Sequence, residues 1–423
     1  MRLKYVPGLA VASASIMLLA ACGSSSSNTA TTAAQTPSSN AAAAATSTPS
    51  TDGSSAAGST VASSGSATCS AQGTSSDPAI KAAQDNLVKA AAKTPEWAGP
   101  TTGPATQKKG ALMVFVPQLS ANAGDLGVVN GFKEAATALG WEVKVIDGGG
   151  TTANELAALD QAIALKPAGI LVSSFDPAAS EPAFAKAKAA GIPVVANHTG
   201  FSAGPQKAAP SLFTNITSDP ATIARIAADC AIVASNGKAG VSIVGCGTQV
   251  EICTTKEDAM VAEIKTCSGC SVLVKHDYPF QDATQQEGGI AAADYQKYGA
   301  DLGYMLSIND IYFDAAIPAL KALGVGPQGP PLMIAAGDGS PGAFERVRAG
   351  EYQIATVAEP LNEHGWQMAD EMNRALAGEA PSDYVTYPHI TTIENVDAEG
   401  GDKNVYDPSN GYRDQYKKIW GGS

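Results

Sequence analysis

Short apolar runs alternate with segments of helical periodicity along most of the chain. Residues 111–116 form a continuous apolar run, the pattern of a strand buried on both faces of a sheet. In the segment that follows, apolar residues recur at helical spacing between Val129 and Leu139, and Asp125 stands where the N-cap of that helix is expected. The alternation then continues, with strands predicted at 142–146, 169–173 and 192–196 and helices near 154–165 and up to Gly191.

The pattern restarts after about residue 220. Further strands are predicted at 241–244, 271–274, 302–306 and 332–336, and helices near 223–234, 256–267, 283–298, 311–323 and 342–348. Alternation of this kind predicts an α/β fold with two doubly wound, Rossmann-like parallel sheets. Because ligands bind beyond the carboxyl ends of such strands, the two domains are expected to share a cleft.

The N-terminal segment has the organisation of an export signal. Arg2 and Lys4 precede an apolar stretch at 9–20, and small residues lead to Cys22. Leu19-Ala20-Ala21-Cys22 resembles the bacterial lipobox, which implies removal of residues 1–21 and lipidation of Cys22. The alternatives are an ordinary signal cleaved elsewhere and a buried N-terminal helix.

Low-complexity sequence follows the signal. Residues 22–76 are dominated by Ser, Ala, Thr, Gly, Pro and Asn and are expected to form a flexible tether. Residues 77–106 are predicted to be a helical extension, with a helix at 79–92 and a turn at Trp97 whose indole packs on the folded body.

The charge of the chain excludes some partners. The formal net charge is −13, and loss of Arg2 and Lys4 with the signal would change it to −15. Without a basic run, nucleic acid is not an expected partner. After the signal, no apolar stretch reaches the length of about 18 residues that a membrane helix needs.

Six cysteines follow Cys22, an even number that suggests disulfides in an exported protein. The closest pair, Cys267 and Cys270, is predicted to be bridged across a turn, and Cys246 with Cys253 is the next candidate. A thiol oxidoreductase or a zinc site is the alternative. It is less favoured because Cys267 follows a predicted helix instead of opening one, and because only one histidine is near.

Several short sequence motifs, taken together with their order and spacing, resemble those of the type 1 periplasmic binding proteins of ABC importers, in particular the ribose-binding cluster. The resemblance covers 107–390 and rests on the segments at 130–136, 139–141, 162–171, 190–195, 307–310, 336–339 and 354–358. It implies three crossovers, with hinges near 214–218, 358–361 and 387–390. The implied N-terminal lobe is 107–215 with 360–387, and the implied C-terminal lobe is 216–359 with 388–423.

The resemblance also implies a set of ligand-binding residues. In the N-terminal lobe, Gln118 and Asn122 take the places of a small polar residue and an asparagine. Asp125 follows Gly124 where the family usually has two aromatic residues that stack on a sugar.

Asn197 and His198 replace an Asp-Arg pair that binds hydroxyl groups. In the C-terminal lobe Lys256 corresponds to an arginine, and Phe280, or Gln281 after a one-residue gap, to an aromatic position.

Asn309 and Asp338 match an asparagine and an aspartate that hydrogen-bond sugar hydroxyls, and Glu359 replaces a hinge glutamine. Planar polar side chains of this kind suit hydroxyl-rich ligands, since they offer several donors and acceptors. The lost aromatic and arginine residues make the cleft more acidic, which would favour an amino-sugar, a polyol or another small polar solute.

The predicted function is that of a lipid-anchored, extracytoplasmic solute-binding protein that delivers a sugar or polyol to the permease of an ABC importer. We expect a monomer with no catalytic residues, no metal and no cofactor. The glycine-rich segments at 147–150 and 245–247 lack dinucleotide or Walker spacing and are interpreted as turns. Two alternatives stay open: a binding protein that reports its ligand to a membrane receptor, and an exported thiol oxidoreductase or hydrolase.

Overall fold

The computed structural model describes residues 68–69, 75–92 and 96–421. The predicted signal at 1–21, the predicted lipidation site Cys22 and most of the predicted tether lie outside these residues. Within the described part of the chain, no helix combines the length and the apolar character that crossing a bilayer requires.

The first lobe is built on a five-stranded parallel sheet in the order β2-β1-β3-β4-β5. Its central strands are buried along their whole length, as their continuous apolar runs predict. The strands are β1 (Leu112–Pro117), β2 (Glu142–Val145), β3 (Gly169–Ser173), β4 (Val194–Asn197) and β5 (Thr214–Ile216). The helices of this lobe are α2 (Ala123–Leu139), α3 (Thr152–Ala164), α4 (Pro177–Ala189), α10 (Leu361–Ala377) and α12 (Tyr412–Ile419).

The second lobe is built on a six-stranded sheet in the order β11-β10-β9-β8-β6-β7, in which only β11 is antiparallel to its neighbour. Its strands are β6 (Gly240–Gly245), β7 (Ser271–Asp277), β8 (Tyr304–Ser307), β9 (Leu332–Ala335), β10 (Gln353–Ala358) and β11 (His389–Thr392). Its helices are α5 (Pro220–Ala234), α6 (Glu251–Ile264), α7 (Ala283–Tyr298), α8 (Ile311–Ala322), α9 (Pro341–Ala349) and α11 (Val396–Gly400).

Three connections between β-sheets form the hinge. Residues 217–219 join β5 to α5, residues 359–360 join β10 to α10, and residues 378–388 join α10 to β11. The prediction of two doubly wound α/β lobes with a three-crossover hinge is therefore confirmed.

The end of the chain departs from its predicted place. Residues 388–423 were assigned to the second lobe, but Tyr412, Tyr416 and Trp420 pack in the core of the first lobe. The indole of Trp420 stacks on Trp366 with ring centroids 5.5 Å apart. Burial of these aromatic side chains against α10 returns the chain to the first lobe.

The N-terminal extension also contacts both lobes. Helix α1 (Pro78–Ala90), capped by Asp77, packs against α5 of the second lobe. Trp97 lies edge-on to Tyr416, in the aromatic cluster of the first lobe. The predicted tether of 22–76 extends too far, because Cys69 is buried and bonded to Cys230 of α5.

The structure pairs the other four cysteines as Cys246 with Cys253 and Cys267 with Cys270. The first bridge joins the end of β6 to the first turn of α6. The second closes the turn that leads into β7.

Candidate ligand-binding cleft

The cleft lies beyond the carboxyl ends of the parallel strands of both lobes. On the first lobe, Asn122 caps α2 and its Oδ1 accepts a hydrogen bond from the Gly124 amide at 3.0 Å. Asp125 is therefore not the N-cap that the sequence predicts. It lies in the first turn of α2, and its carboxylate accepts hydrogen bonds from Ser173, Ser174 and the Leu119 amide.

One cavity collects most of the predicted residues. It is lined by Asn122, Gly124, Asp125, Ser174, His198, Ile252, Lys256, Phe280, Ile308, Asn309 and Asp338. Seven of these were predicted from the sequence, and they come from both lobes. Its volume is about 20 Å³, which is room for about one water molecule. A sugar can enter only if the lobes move apart.

Asp338 makes a close contact across the cleft. Its carboxylate lies against Gly124 so closely that a Cβ atom on residue 124 would collide with it. Among the described residues, no side chain or backbone amide donates a hydrogen bond to this carboxylate. Burial raises its pKa to about 7, against the opposing attraction of Lys256. Glycine in place of an aromatic residue therefore leaves space for Asp338 when the lobes are closed.

Glu359, from the hinge, connects two cations. Its carboxylate is 3.0 Å from His198 Nε2 and 3.4 Å from Lys256 Nζ. Burial alone would raise the pKa of Glu359, but His198 and Lys256 outweigh burial and hold that pKa well below its ordinary value. Lys256 also donates to the carbonyls of Ile308 and Ala336. All three of its protons are thus used within the protein, so Lys256 positions this side of the cleft.

A chain of hydrogen bonds continues from the cleft into the hinge. Asn197 Nδ2 is 3.4 Å from His364 Nδ1, His364 Nε2 is 2.6 Å from Thr386 Oγ1, and Thr386 Oγ1 is 2.8 Å from Ser218 Oγ. Ser218 and Thr386 lie on two different crossings between the lobes. Burial, followed by the charge of His198, lowers the pKa of His364 to about 3.

His198, Glu359 and His364 offer ligand atoms within 4.8 Å of one another. Two histidines and a carboxylate are a donor set that binds transition metals. Here, however, Lys256 places a positive charge 3.4 Å from the same carboxylate, and each imidazole already has a hydrogen-bond partner. We interpret the group as an internal hydrogen-bond network, and the absence of a metal stays a prediction.

Three predicted ligand residues, Gln118, Asn197 and Glu359, do not line the cavity. Gln118 is buried, and its amide donates to Glu155 at 3.2 Å, behind β1. Asn197 donates to the Ile216 carbonyl at 2.9 Å and belongs to the hinge network. Sequence reasoning missed Ser174, Ile252 and Ile308. Ser174 follows β3 directly, so its place at a strand's carboxyl end was an available signal.

The cavity is rich in hydrogen-bond acceptors that lack donors. Asn309 Oδ1 is buried without a partner among the described residues, and the Asp338 carboxylate faces Gly124 of the opposite lobe. Unpaired buried acceptors cost roughly 1–3 kcal/mol each. A ligand that presents several hydroxyl or ammonium donors would satisfy them.

Comparison with known proteins places this architecture in a family. Residues 113–380 match the model of the periplasmic binding protein domain. No curated protein sequence matches the chain.

Solved structures share the fold at low identity. A solute-binding protein of an ABC transporter from Agrobacterium vitis with bound allitol has a TM-score of 0.60 at 23% identity, covering 69% of this chain and 98% of its own. A second protein from Agrobacterium vitis, bound with alpha-D-tagatopyranose, has a TM-score of 0.63 at 20% identity, with 70% and 99% covered. A Bacillus halodurans protein with bound myo-inositol has a TM-score of 0.58 at 16% identity, with 69% and 98% covered.

Proposed function

The chain belongs to the periplasmic binding protein domain family, and from that premise we propose that it is the solute-binding component of an ABC importer. It would bind a sugar or polyol between its lobes and present the closed form to a membrane permease. The observation that supports this proposal is the cavity between the lobes, which Asp338 lines and where the buried Asn309 Oδ1 has no donor among the described residues.

The ligand class follows from the chemistry of the cavity. Neither Lys256 nor Glu359 is free for a ligand, since each is paired inside the protein. Acceptors therefore dominate what the ligand meets, and the rings of Phe280 and His198 are the aromatic groups among the described residues that line the cavity. Once the lobes have moved apart to admit it, a small, compact molecule with several hydroxyl donors would satisfy these acceptors, and the two polyols and the sugar named for the similar structures have such donors.

The location and the covalent state form part of the same proposal. We propose that the chain is exported, that Cys22 carries a lipid anchor, and that the six remaining cysteines form the three bridges described above. Mass spectrometry of the protein purified from a bacterial membrane fraction tests both points. A Cys22→Ser variant should lose the lipid mass and the membrane association, and the native protein should show no free thiol.

A thermal-shift screen of the protein beginning at residue 68 tests ligand binding. The panel contains allitol, D-tagatose, D-allose and myo-inositol, with amino acids and nucleosides as the other classes. A ligand at one hundred times its dissociation constant adds about 2.7 kcal/mol to the free energy of unfolding. Asn309→Ala should lose the shift and keep the unliganded transition, while a panel without any shift in the wild type would refute the sugar or polyol assignment.

A further inference from the structure

A loop enclosed by a disulfide reaches across the cleft from the second lobe. Cys246 and Cys253 are bonded, with Cα atoms 5.5 Å apart, and Gln249 lies between them. The Gly247 amide at the start of the loop donates to Glu257 at 2.8 Å, which fixes the loop to α6. The bridge and this hydrogen bond hold the loop in one conformation.

The Gln249 side chain connects the two lobes. Its Nε2 donates to the carbonyl of Gly150 in the first lobe at 3.0 Å, and its Oε1 accepts from the Phe280 amide in the second lobe at 3.0 Å. Because one backbone partner can only accept and the other can only donate, the orientation of the amide is determined. Gln249 does not line the cavity, although Phe280 and Ile252 beside it do.

Both glycine-rich turns of the sequence meet at this point. The turn at 147–150 ends in Gly150, whose φ of +74° suits glycine and whose amide donates to the Gln118 carbonyl at 2.9 Å. The turn at 245–247 opens the loop of Gln249. Two segments that do not line the cavity thus form a second contact between the lobes, besides that of Asp338 with Gly124.

Strand order places this contact far from the hinge. The crossings leave from β5 and from β10 and β11, at one edge of each sheet, whereas Gly150 follows β2 and Gln249 and Phe280 follow β6 and β7 at the other edge. Four strand spacings separate β5 from β2, about 19 Å. A rotation of about 10° about the hinge would move the two partners apart by about 3 Å, enough to break a hydrogen bond.

We propose that Gln249 is the latch of the cleft, a positioning residue that stabilises the closed form without touching the ligand. The Cys246–Cys253 bridge holds the latch in place. This inference rests on the proposed function, since it assumes that the lobes close on a ligand. Loss of the latch lowers the closed fraction, which raises the apparent dissociation constant in proportion and acts mainly through faster release.

Two variants separate the latch from the local structure. Gln249→Glu keeps the acceptor for the Phe280 amide but places a carboxylate oxygen against the Gly150 carbonyl. Gln249→Ala removes both bonds and also the longer one, of 3.5 Å, that Gln249 Nε2 donates to Gln281 Oε1 within the second lobe. Gln328→Ala is the matched control, because Gln328 also donates to a backbone carbonyl, that of Gly350 at 2.7 Å, within one lobe.

The probe is the sugar or polyol of the panel that raises the thermal unfolding transition of the wild type. The experiment measures the rate at which this probe dissociates, and small-angle X-ray scattering measures the radius of gyration of the protein with and without the probe. We expect both Gln249 variants to release the probe about 2- to 10-fold faster, with unchanged association, an increased radius and an unaltered Gln328→Ala control. Wild-type release rates and radii in both variants would overturn the latch. If no panel compound binds the wild type, the proposed ligand class is refuted, and the latch is tested separately by the radii of gyration of the unliganded proteins. Radii of the Gln249 variants larger than that of the wild type support the latch, and equal radii overturn it.

Discussion

Asp338→Asn should make the unliganded protein more stable and weaken its response to ligand. The carboxylate is buried, lies against Gly124 and accepts no hydrogen bond from the described residues. Burial raises its pKa from the ordinary value of 3.8 to about 7. The folded protein therefore binds this proton more tightly than the unfolded chain does, and the stability associated with the protonated form is lost as the pH rises towards 7.

The size of the effect follows from this difference in pKa. Each pH unit between the two values costs the folded wild type about 1.4 kcal/mol. Since an asparagine does not ionise, the variant should exceed the wild type by about 2 kcal/mol at pH 5 and by about 4 kcal/mol at pH 8.

Urea denaturation at these two pH values measures the difference. Circular dichroism is the suitable signal, because all four tryptophans pack in the first lobe, whereas Asp338 belongs to the second. As a control, Asp314→Asn removes an exposed carboxylate of the second lobe, and its effect should stay within about 1 kcal/mol at both pH values. An Asp338→Asn protein that is no more stable at pH 8, or whose advantage does not grow with pH, would refute the reasoning.

Three further results are expected. Gly124→Ala should weaken ligand binding at least about 10-fold, because the new methyl group prevents full closure. Gly289→Ala, in a helix with open space around it, should leave binding intact and add about 0.5–1 kcal/mol to the free energy of unfolding. Equal affinities of the two variants in calorimetric titration would contradict this expectation. Asn309→Ala should abolish binding in the same titration while Gln118→Ala keeps it within about 3-fold, because only the former lines the cavity; the opposite order would contradict the placement of both residues. Deleting residues 411–423 should lower the unfolding free energy of the first lobe by at least about 3 kcal/mol, seen as an earlier transition in tryptophan fluorescence, and an unchanged midpoint would show that α12 contributes nothing.

The strands that the sequence predicts best are those whose burial is continuous. β3 and β8 have apolar residues on both faces, so a run of hydrophobic residues is sufficient to identify them. β11 was missed because His389-Ile-Thr-Thr392 is largely polar, although every residue of it is buried. His389 is paired with Asn395 and Glu399, and Thr392 donates to Glu394, so polar side chains can be buried here without the apolar run by which a strand is recognised.

Some residues of the site could likewise be predicted from the sequence and others could not. The family resemblance implied Asn309 and Asp338, and each lies two or three residues beyond a predicted strand, a position that brings it to the cleft. Gln118 also follows a strand, yet its side chain turns towards Glu155 on α3. Which side of the sheet a residue faces at a strand end depends on the conformation of the loop after it. A pattern of strands and helices contains no information on that conformation.

The hinge and the latch differ in what closure requires of them. Ser218 and Thr386 lie on neighbouring crossings and near the axis of rotation, where atoms move least, so their hydrogen bond can persist in the open and closed forms. His364 beside them has a pKa of about 3 as a result of burial and the charge of His198, and it stays neutral over the pH range in which Asp338 titrates. His364 in the hinge therefore keeps its protonation state over the pH range in which Asp338 in the cleft changes from the protonated to the ionised form. Two other groups that line the cavity also have shifted pKa values: burial raises that of Asp125 to about 6, and Glu359 raises that of His198 against the effect of burial. A pH dependence of ligand affinity near pH 7 should therefore be reduced in Asp338→Asn and not abolished, whereas the pivot itself should be insensitive to pH.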